Sequence, residues 1–256
     1  MSVPLPHDET GTGSPTLLLV HGWGGDRRSW ASTAPLFAAR HRVLAVDVRG
    51  HGDAPRPPAG YDPRTIAGDL AALLRGTDAG PVVAIGHSWG GQLVTALAAH
   101  HPGAVRAVVT VDPAYGATDE AALRDQLRDW RSPGARAALR DFAEGAFSDA
   151  TPETVREQVR AGLRDTDARV LADAFEAMYL APDAFGIRDR TEAFLRRGPV
   201  PMLSLFSTEA AAAWARSLPA TNGSAVEAWP GAGHYLHQER PAEFVAVVER
   251  WLTTLP

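Results

Sequence analysis

Residues 82–100 read Val82-Val83-Ala84-Ile85-Gly86-His87-Ser88-Trp89-Gly90-Gly91-Gln92-Leu93-Val94-Thr95-Ala96-Leu97-Ala98-Ala99-His100. A short apolar run, a Gly-x-Ser-x-Gly turn and a helix-compatible stretch follow without a break, which is the pattern of a serine on a strand-to-helix elbow. Such a turn forces Ser88 into strained backbone geometry and brings helix against strand, so a side chain at Gly86 or Gly90 would clash. The hydroxyl is pushed into the open at a sheet edge, above the positive end of the following helix. In a chain with 24 glycines the motif alone arises easily by chance; its two flanks give it weight.

Outward from this elbow, short apolar runs alternate with helix-like stretches, the signature of a parallel sheet buried on both faces. Strands are expected near 16–20, 42–47, 82–86, 105–111, 202–206 and 225–229, and helices near 29–39, 65–74, 92–99 and 241–252. The fold class is α/β, a mostly parallel central sheet flanked by helices. From Tyr115 to Gly198, 84 residues, no strand is expected. There Thr151-Pro152-Glu153 reads as an N-cap, a first-turn proline and a dipole-matched acid, followed by Val155, Val159 and Leu163 at four-residue spacing. The next helix carries Val170, Leu171, Ala174, Phe175, Met178 and Tyr179 and stops at Pro182. An apolar stripe of this kind is first of all core packing, yet an inserted helical layer must sit on something. Lying between two strands, it is expected to cap the carboxyl ends of the sheet, where open α/β sheets bind ligands. The expected division is a core of 1–114 and 199–256 with a helical cap of 115–198, whose interspersed acids and arginines form a solvated outer face.

With 256 residues, 45% of them hydrophobic, the chain can bury a large core. A net charge of −5 with 21% charged residues shows neither a nucleic-acid footprint nor the composition of disorder. The absence of cysteine removes thiolate nucleophiles, thiolate zinc sites and iron–sulfur clusters. All 25 basic residues are arginine, so no lysine can form a Schiff base with pyridoxal phosphate. No apolar run reaches the roughly 20 residues of a membrane span, and the N-terminus has neither a basic region nor an apolar one. A cytoplasmic protein without membrane contact is the expectation; the oligomeric state is not legible.

A serine hydroxyl is a weak nucleophile at neutral pH and needs a general base, itself oriented by a third group. Of nine histidines, His234 is best placed, in the Gly-rich loop Pro230-Gly231-Ala232-Gly233-His234-Tyr235 between the last strand and the terminal helix. His87 neighbours the nucleophile and should point away from it. His100 and His101 end a helix, His7 and His41 look exposed, and His21 and His51 lie in Gly-rich loops. His237 falls three residues after His234, but no HExxH or carboxylate accompanies the pair, so packing is the expected role and no metal or cofactor is expected. The oxyanion of an acyl-transfer intermediate needs backbone N–H donors. Trp89, after the nucleophile, and Trp23, in the loop His21-Gly22-Trp23-Gly24-Gly25, fit that need. The same loop imitates a dinucleotide fingerprint, with Asp47 ending the next strand, but the third glycine position is Arg27.

Four motifs in one order now stand together: His21-Gly22-Trp23-Gly24, Asp47-x-Arg49-Gly50-His51-Gly52, Gly86-His87-Ser88-Trp89-Gly90-Gly91, and Gly231-Ala232-Gly233-His234 followed by Glu239-Arg240-Pro241. In this the chain resembles the α/β-hydrolase fold superfamily, of serine hydrolase or esterase type, over nearly its full length. The resemblance implies a serine nucleophile, a histidine base, an oxyanion hole at the two tryptophan N–H groups, and a helical cap between the family's sixth and seventh strands.

The chain departs from the family in two places. Only about 15 residues precede the first parallel strand, so the opening β-hairpin of the family must be shortened or missing. The seventh family strand usually runs into the triad acid, whereas here 202–206 leads into Ser207-Thr208-Glu209-Ala210, with alanine at the acid position. Two residues preserve the order Ser, acid, His. Asp112 follows strand 105–111, where haloalkane dehalogenases place their acid, and is preferred; Glu209, one residue out of register, is the alternative. The bland reading of Asp112 is a turn residue before Pro113.

The expected reaction is cleavage of an ester or lactone of a small, largely apolar molecule through an acyl-enzyme. Tyr115, Phe142, Phe147, Phe175, Tyr179 and Tyr235 are the candidate substrate contacts, although any one cap aromatic is as readily core. Carbon–carbon hydrolysis, peracid formation and hydroxynitrile lysis suit the same residues, and fold analogy does not separate them. A ligand-binding protein that retained the pocket is the reading from outside enzymology. Serine at position 88 speaks against dehalogenase and epoxide hydrolase chemistry, which use aspartate there.

Overall fold

The computed structural model describes residues 2–198 and 200–255; the expected boundaries at 1, 199 and 256 fall outside the described residues. The strands are β1 (His7–Thr10), β2 (Leu17–Val20), β3 (Val43–Val46), β4 (Val82–His87), β5 (Val105–Val111), β6 (Met202–Phe206) and β7 (Ala225–Ala228). They form one sheet in the order β1-β3-β2-β4-β5-β6-β7. Every neighbouring pair is parallel except β1 with β3. The family's opening hairpin is thus reduced to one antiparallel edge strand. Its residues, His-Asp-Glu-Thr, are polar and largely exposed, and it is held by backbone pairing, His7 opposite Val46 to Thr10 opposite Val43. No hydrophobic alternation announces such a strand, which is why the sequence reading has six strands.

Helices α1 (Ala34–Ala38), α2 (Pro63–Gly76) and α3 (Trp89–His100) connect the first five strands, α4 (Glu120–Trp130), α5 (Ala135–Glu144), α6 (Glu153–Asp165), α7 (Ala168–Tyr179) and α8 (Arg188–Leu195) lie between β5 and β6, and α9 (Glu209–Arg216), α10 (Leu236–Glu239) and α11 (Pro241–Leu252) follow. The helix expected over 29–39 is instead a 3₁₀ turn, Arg27–Trp30, and the short α1. Pro35, lacking an N–H, sits in the first turn of α1, where that donor is not needed, and cannot continue an earlier helix.

All four side chains of β2 are fully buried, as a strand covered on both faces requires. Leu18 and Val20 pack with Ile66 and Leu70 of α2 and Leu93 and Leu97 of α3. Leu17 and Leu19 pack on the opposite face with Phe37 of α1 and Phe244 and Trp251 of α11. Each such side chain contributes about 1.5–3 kcal/mol. The insertion has a core of its own around Trp130, Leu139, Leu163, Leu171 and Phe175. It is seated on the sheet through Val170, Ala174 and Met178 of α7, which join the first core. Its two ends are stitched together where Ala117 N–H donates to the Gly186 carbonyl (3.0 Å) and Arg188 N–H to the Ala117 carbonyl (2.9 Å).

One local expectation is corrected. Thr151 does not cap α6: Pro152 occupies the N-cap position with no side-chain bond. The Thr151 hydroxyl instead donates to Glu239 Oε1 at 2.7 Å.

The elbow shows why glycine flanks the serine. A Cβ on Gly86 would lie far inside contact distance of the Gly90 carbonyl, and one on Gly90 would collide with the Val20 carbonyl and come within 2.6 Å of the His21 carbonyl. These neighbours are backbone and cannot rotate away. Gly90→Ala is therefore expected to cost about 3 kcal/mol, read as a lower denaturation midpoint with an unchanged m-value. A midpoint equal to the native one would contradict this close approach of α3 to β2.

Candidate active site

Ser88 links the end of β4 to the start of α3 with φ 52° and ψ −118°. For a residue with a Cβ this left-handed conformation costs on the order of 1–3 kcal/mol and persists only when the surroundings impose it. They do: Ser88 N–H donates to the Val111 carbonyl at 2.8 Å, and the Ser88 carbonyl accepts from Gly91 N–H at 2.9 Å and Ala114 N–H at 3.1 Å. The elbow is thereby fastened to the end of β5, where Asp112 stands.

Asp112 also has a positive φ, 42°. Its N–H donates to the Leu205 carbonyl at 2.7 Å, continuing the pairing with β6. Across that junction lies Ser207. Its N–H donates to Asp112 Oδ1 (2.9 Å), and its hydroxyl reaches Oδ1 (3.0 Å) and Oδ2 (3.1 Å). His234 Nδ1 donates to Oδ2 at 2.7 Å. Since a carboxylate only accepts, Nδ1 carries the proton, and in the neutral ring Nε2 is then the bare nitrogen, the tautomer that a general base needs. Glu209 is elsewhere: it opens α9, its side chain is 62% exposed, and it pairs with Arg216 at 2.5 Å.

The second early loop reaches the same place. A Cβ on Gly22 would stand 2.8 Å from His87 Nδ1 and 3.1 Å from the Ser88 Cβ, so the backbone at Gly22 passes close against the Ser88 turn. Trp23 follows at once. Trp89 is the first residue of α3, and the leading N–H groups of a helix have no intrahelical acceptor. Trp89's indole is fully buried against His51, so only its backbone can serve a ligand.

Ser88, Asp112 and His234 line one cavity of about 780 Å³, whose wall also includes Gly22 and Trp23 and all six aromatic residues proposed from sequence. They differ in what they present. The Tyr115 hydroxyl is tied to Thr95 (2.5 Å) and the Gly91 carbonyl (3.2 Å), leaving its ring. Phe142 is 41% exposed and meets Trp23 edge-on, while Trp23 stacks on Trp130 at 4.8 Å and donates its indole N–H to the Leu171 carbonyl. Phe147 packs beside Tyr235, and Phe175 beside Tyr179. Burial pushes the phenols of Tyr179 and Tyr235 upward, with the Glu239 charge adding to the second, so both remain protonated donors at neutral pH.

The sequence signature of the alpha/beta hydrolase family matches residues 17–247. The chain belongs to the alpha/beta hydrolase family. It is 27% identical over 242 residues to the 2-(acetamidomethylene)succinate hydrolase of Mesorhizobium japonicum, covering 91% of this chain and 86% of that one. Among solved structures, a thermophilic esterase from Thermogutta terrifontis superposes with a TM-score of 0.82 at 25% identity, covering 99% of this chain and 94% of the other. An esterase from Rhodococcus sp. ECU1013 superposes with a TM-score of 0.80 at 26% identity over all of both chains. Among the described residues no helix is long and apolar enough to cross a membrane.

In this alpha/beta hydrolase the histidines beside the elbow are not spectators in the way the sequence suggests. His87 does not point away from the site: it lines the cavity and donates Nε2–H to the His234 carbonyl at 2.9 Å. Its ring lies 4.7 Å from those of both His234 and His237. Burial first, then His237 and His234, hold His87 well below the ordinary histidine range. His237 turns inward onto Trp30, at 4.3 Å, and burial with the nearby His234 pushes it down to about 3. His234 is thus flanked by two rings, His87 and His237, that burial keeps neutral. Ser207 and His87 are the contacts that sequence reasoning misses. Ser207 was detectable only by asking what replaces the acid's usual strand end, and His87 not at all, since a strand-end side chain can face either way.

Proposed function

We propose that the protein is a serine hydrolase that cleaves an ester or lactone of a small, largely apolar substrate through an acyl-enzyme. The observation that carries this reading is the 2.7 Å bond from His234 Nδ1 to Asp112 in the cavity that Ser88 also lines from a strained elbow. Ser88 Oγ attacks the carbonyl carbon as His234 Nε2 takes its proton, and Asp112 stabilises the imidazolium. The carbonyl oxygen, now an oxyanion, accepts from Trp23 N–H and Trp89 N–H, each such donor being worth about 3 kcal/mol. His234 returns the proton to the leaving oxygen. Water, deprotonated by the same nitrogen, then attacks the acyl–Ser88 carbonyl and releases the acid and free serine.

The helical layer 115–198 acts as a cap over the core formed by 1–114 and 199–256, and its Phe142, Phe147, Phe175 and Tyr179 receive the apolar part of the substrate. Tyr115, at the start of that layer, and Tyr235, from the core, complete the wall. The solved relatives at 25% and 26% identity are both named esterases, which supports this choice of bond. The strain held at Ser88, φ 52°, supports a catalytic role over pure binding.

A tagged fluorophosphonate is expected to label the native chain one-to-one, in the peptide that contains Ser88. Failure to label while esters still bind the cavity would remove the catalytic reading. Turnover is then surveyed on p-nitrophenyl esters and lactones of increasing chain length. 2-(Acetamidomethylene)succinate belongs on that panel, because the hydrolase of that name aligns over 91% of the chain.

A further inference from the structure

The Glu239 carboxylate, just beyond the catalytic loop, is used at both oxygens. Oε2 accepts from the N–H of Gly233, the residue before His234, at 2.6 Å. Oε1 accepts from the hydroxyl of Thr151, a buried residue of the helical insertion 88 positions away, at 2.7 Å. Thr151 is itself fixed. Its hydroxyl accepts from Ser148 N–H at 3.0 Å, and Arg156 donates to the Thr151 carbonyl (3.1 Å) and the Ser148 carbonyl (2.6 Å). The three groups close tightly around Gly233: a Cβ there would lie 2.7 Å from both Glu239 Oε1 and Ser148 Oγ, and 3.0 Å from Thr151 Oγ1.

This arrangement favours a carboxylate. A carboxylate accepts from both the Gly233 N–H and the Thr151 hydroxyl as they are set here, and charge-assisted bonds are about twice as strong as neutral ones. A second bridge runs alongside, from Gln238 Nε2 to Gln158 Oε1 of α6 at 2.9 Å. His234 is therefore held at three points: its ring by Asp112, its carbonyl by His87, and its preceding peptide by Glu239. Only the third leads into the insertion.

We propose that Glu239 is a positioning residue that couples the seating of the helical insertion to the placement of His234, with Thr151 as its contact on the insertion. The inference rests on the reading of His234 as the base. While Thr151 is docked, the Gly233 peptide is drawn against the carboxylate and Nε2 is aimed at Ser88. When the insertion lifts, Glu239 loses one of its two donors and the His234 loop gains freedom. The base is then in register only beneath a closed cap.

The test compares Thr151→Val, which keeps the shape and removes the hydroxyl, with Thr151→Ser, which keeps the hydroxyl. Thr151→Val is expected to lower kcat on a p-nitrophenyl ester about tenfold, the equivalent of one lost hydrogen bond, with KM within about threefold, and to broaden the low-field Nδ1–H proton resonance of His234. Thr151→Ser is expected to keep both signals. Adding Glu239→Ala to Thr151→Val should cost little more than Glu239→Ala alone, because residues acting in one chain of contacts are not additive. Native kcat and a native resonance in Thr151→Val would overturn the coupling. So would equal losses in Thr151→Val and Thr151→Ser, which would mark a packing effect. Should the native chain not label with fluorophosphonate, the serine reading fails by itself, and the resonance in the two Thr151 variants still decides this one.

Discussion

Replacing Ser88 by alanine is expected to lower kcat/KM on a p-nitrophenyl ester by about 10⁵–10⁶-fold while leaving the fold intact. The loss is large because His234 and Asp112 act only through the serine oxygen; without it they hold a proton relay with nothing to activate. Residual acceleration over water, of about 10³, would come from the two backbone donors and from binding. The strain at the elbow supplies a second arm. Alanine at φ 52° keeps the penalty of a Cβ in the left-handed region, whereas glycine escapes it. Ser88→Gly should therefore be as inactive as Ser88→Ala yet more stable than the native chain, by about 1 kcal/mol, which raises the melting temperature of a domain this size by about 2–4 °C. An active Ser88→Ala would remove the nucleophile from the mechanism. A Ser88→Gly no more stable than Ser88→Ala would mean that the elbow stores no strain for function.

What was legible in the sequence follows from which signals are local. The parallel strands are continuous apolar runs, and all six expected strands begin and end within one residue of their observed limits. The elbow was legible because Gly-x-Ser-x-Gly is contiguous and Gly86 is dictated by a backbone collision with Gly90 four residues on, although Gly90 itself answers to the distant Val20 and His21 carbonyls. Strand β1 was not, because its stabilisation lies in backbone bonds to β3 and leaves no mark on its side chains. Thr151 shows the same limit in reverse. Thr-Pro-Glu is a sound local start to a helix, but Pro152 takes the N-cap position, and the Thr151 hydroxyl accepts from Ser148 N–H and donates to a carboxylate 88 residues away. The proposed triad acid lies between these cases: two candidates followed from chain order, and only the tertiary packing sets Asp112 beside both Ser207 and His234 while Glu209 faces Arg216.

That geometry makes the Asp112→Asn variant a sharper experiment than removal of the side chain. Asn retains the size of Asp but has one acceptor oxygen and one NH₂ group. Ser207 offers two donors, N–H and hydroxyl, to the atom now called Oδ1, the first of them a peptide group that cannot reverse its polarity. The amide should therefore turn its oxygen toward Ser207 and its NH₂ toward His234 Nδ1. A donor facing Nδ1 drives the histidine's proton to Nε2, the nitrogen that must be bare to accept from Ser88. The expected loss in kcat is about 10³–10⁴-fold, the scale of a wrong tautomer, and ¹⁵N spectra of His234 should show the proton moved from Nδ1 to Nε2. Glu209→Gln, on the exposed start of α9, is expected to change kcat less than tenfold, since losing an exposed pair with Arg216 is worth about 1 kcal/mol at most. The reverse ranking would overturn the assignment of the acid. A large loss in Asp112→Asn with the proton still on Nδ1 would keep Asp112 essential but leave the tautomer argument, and with it the orienting role of Ser207, without support.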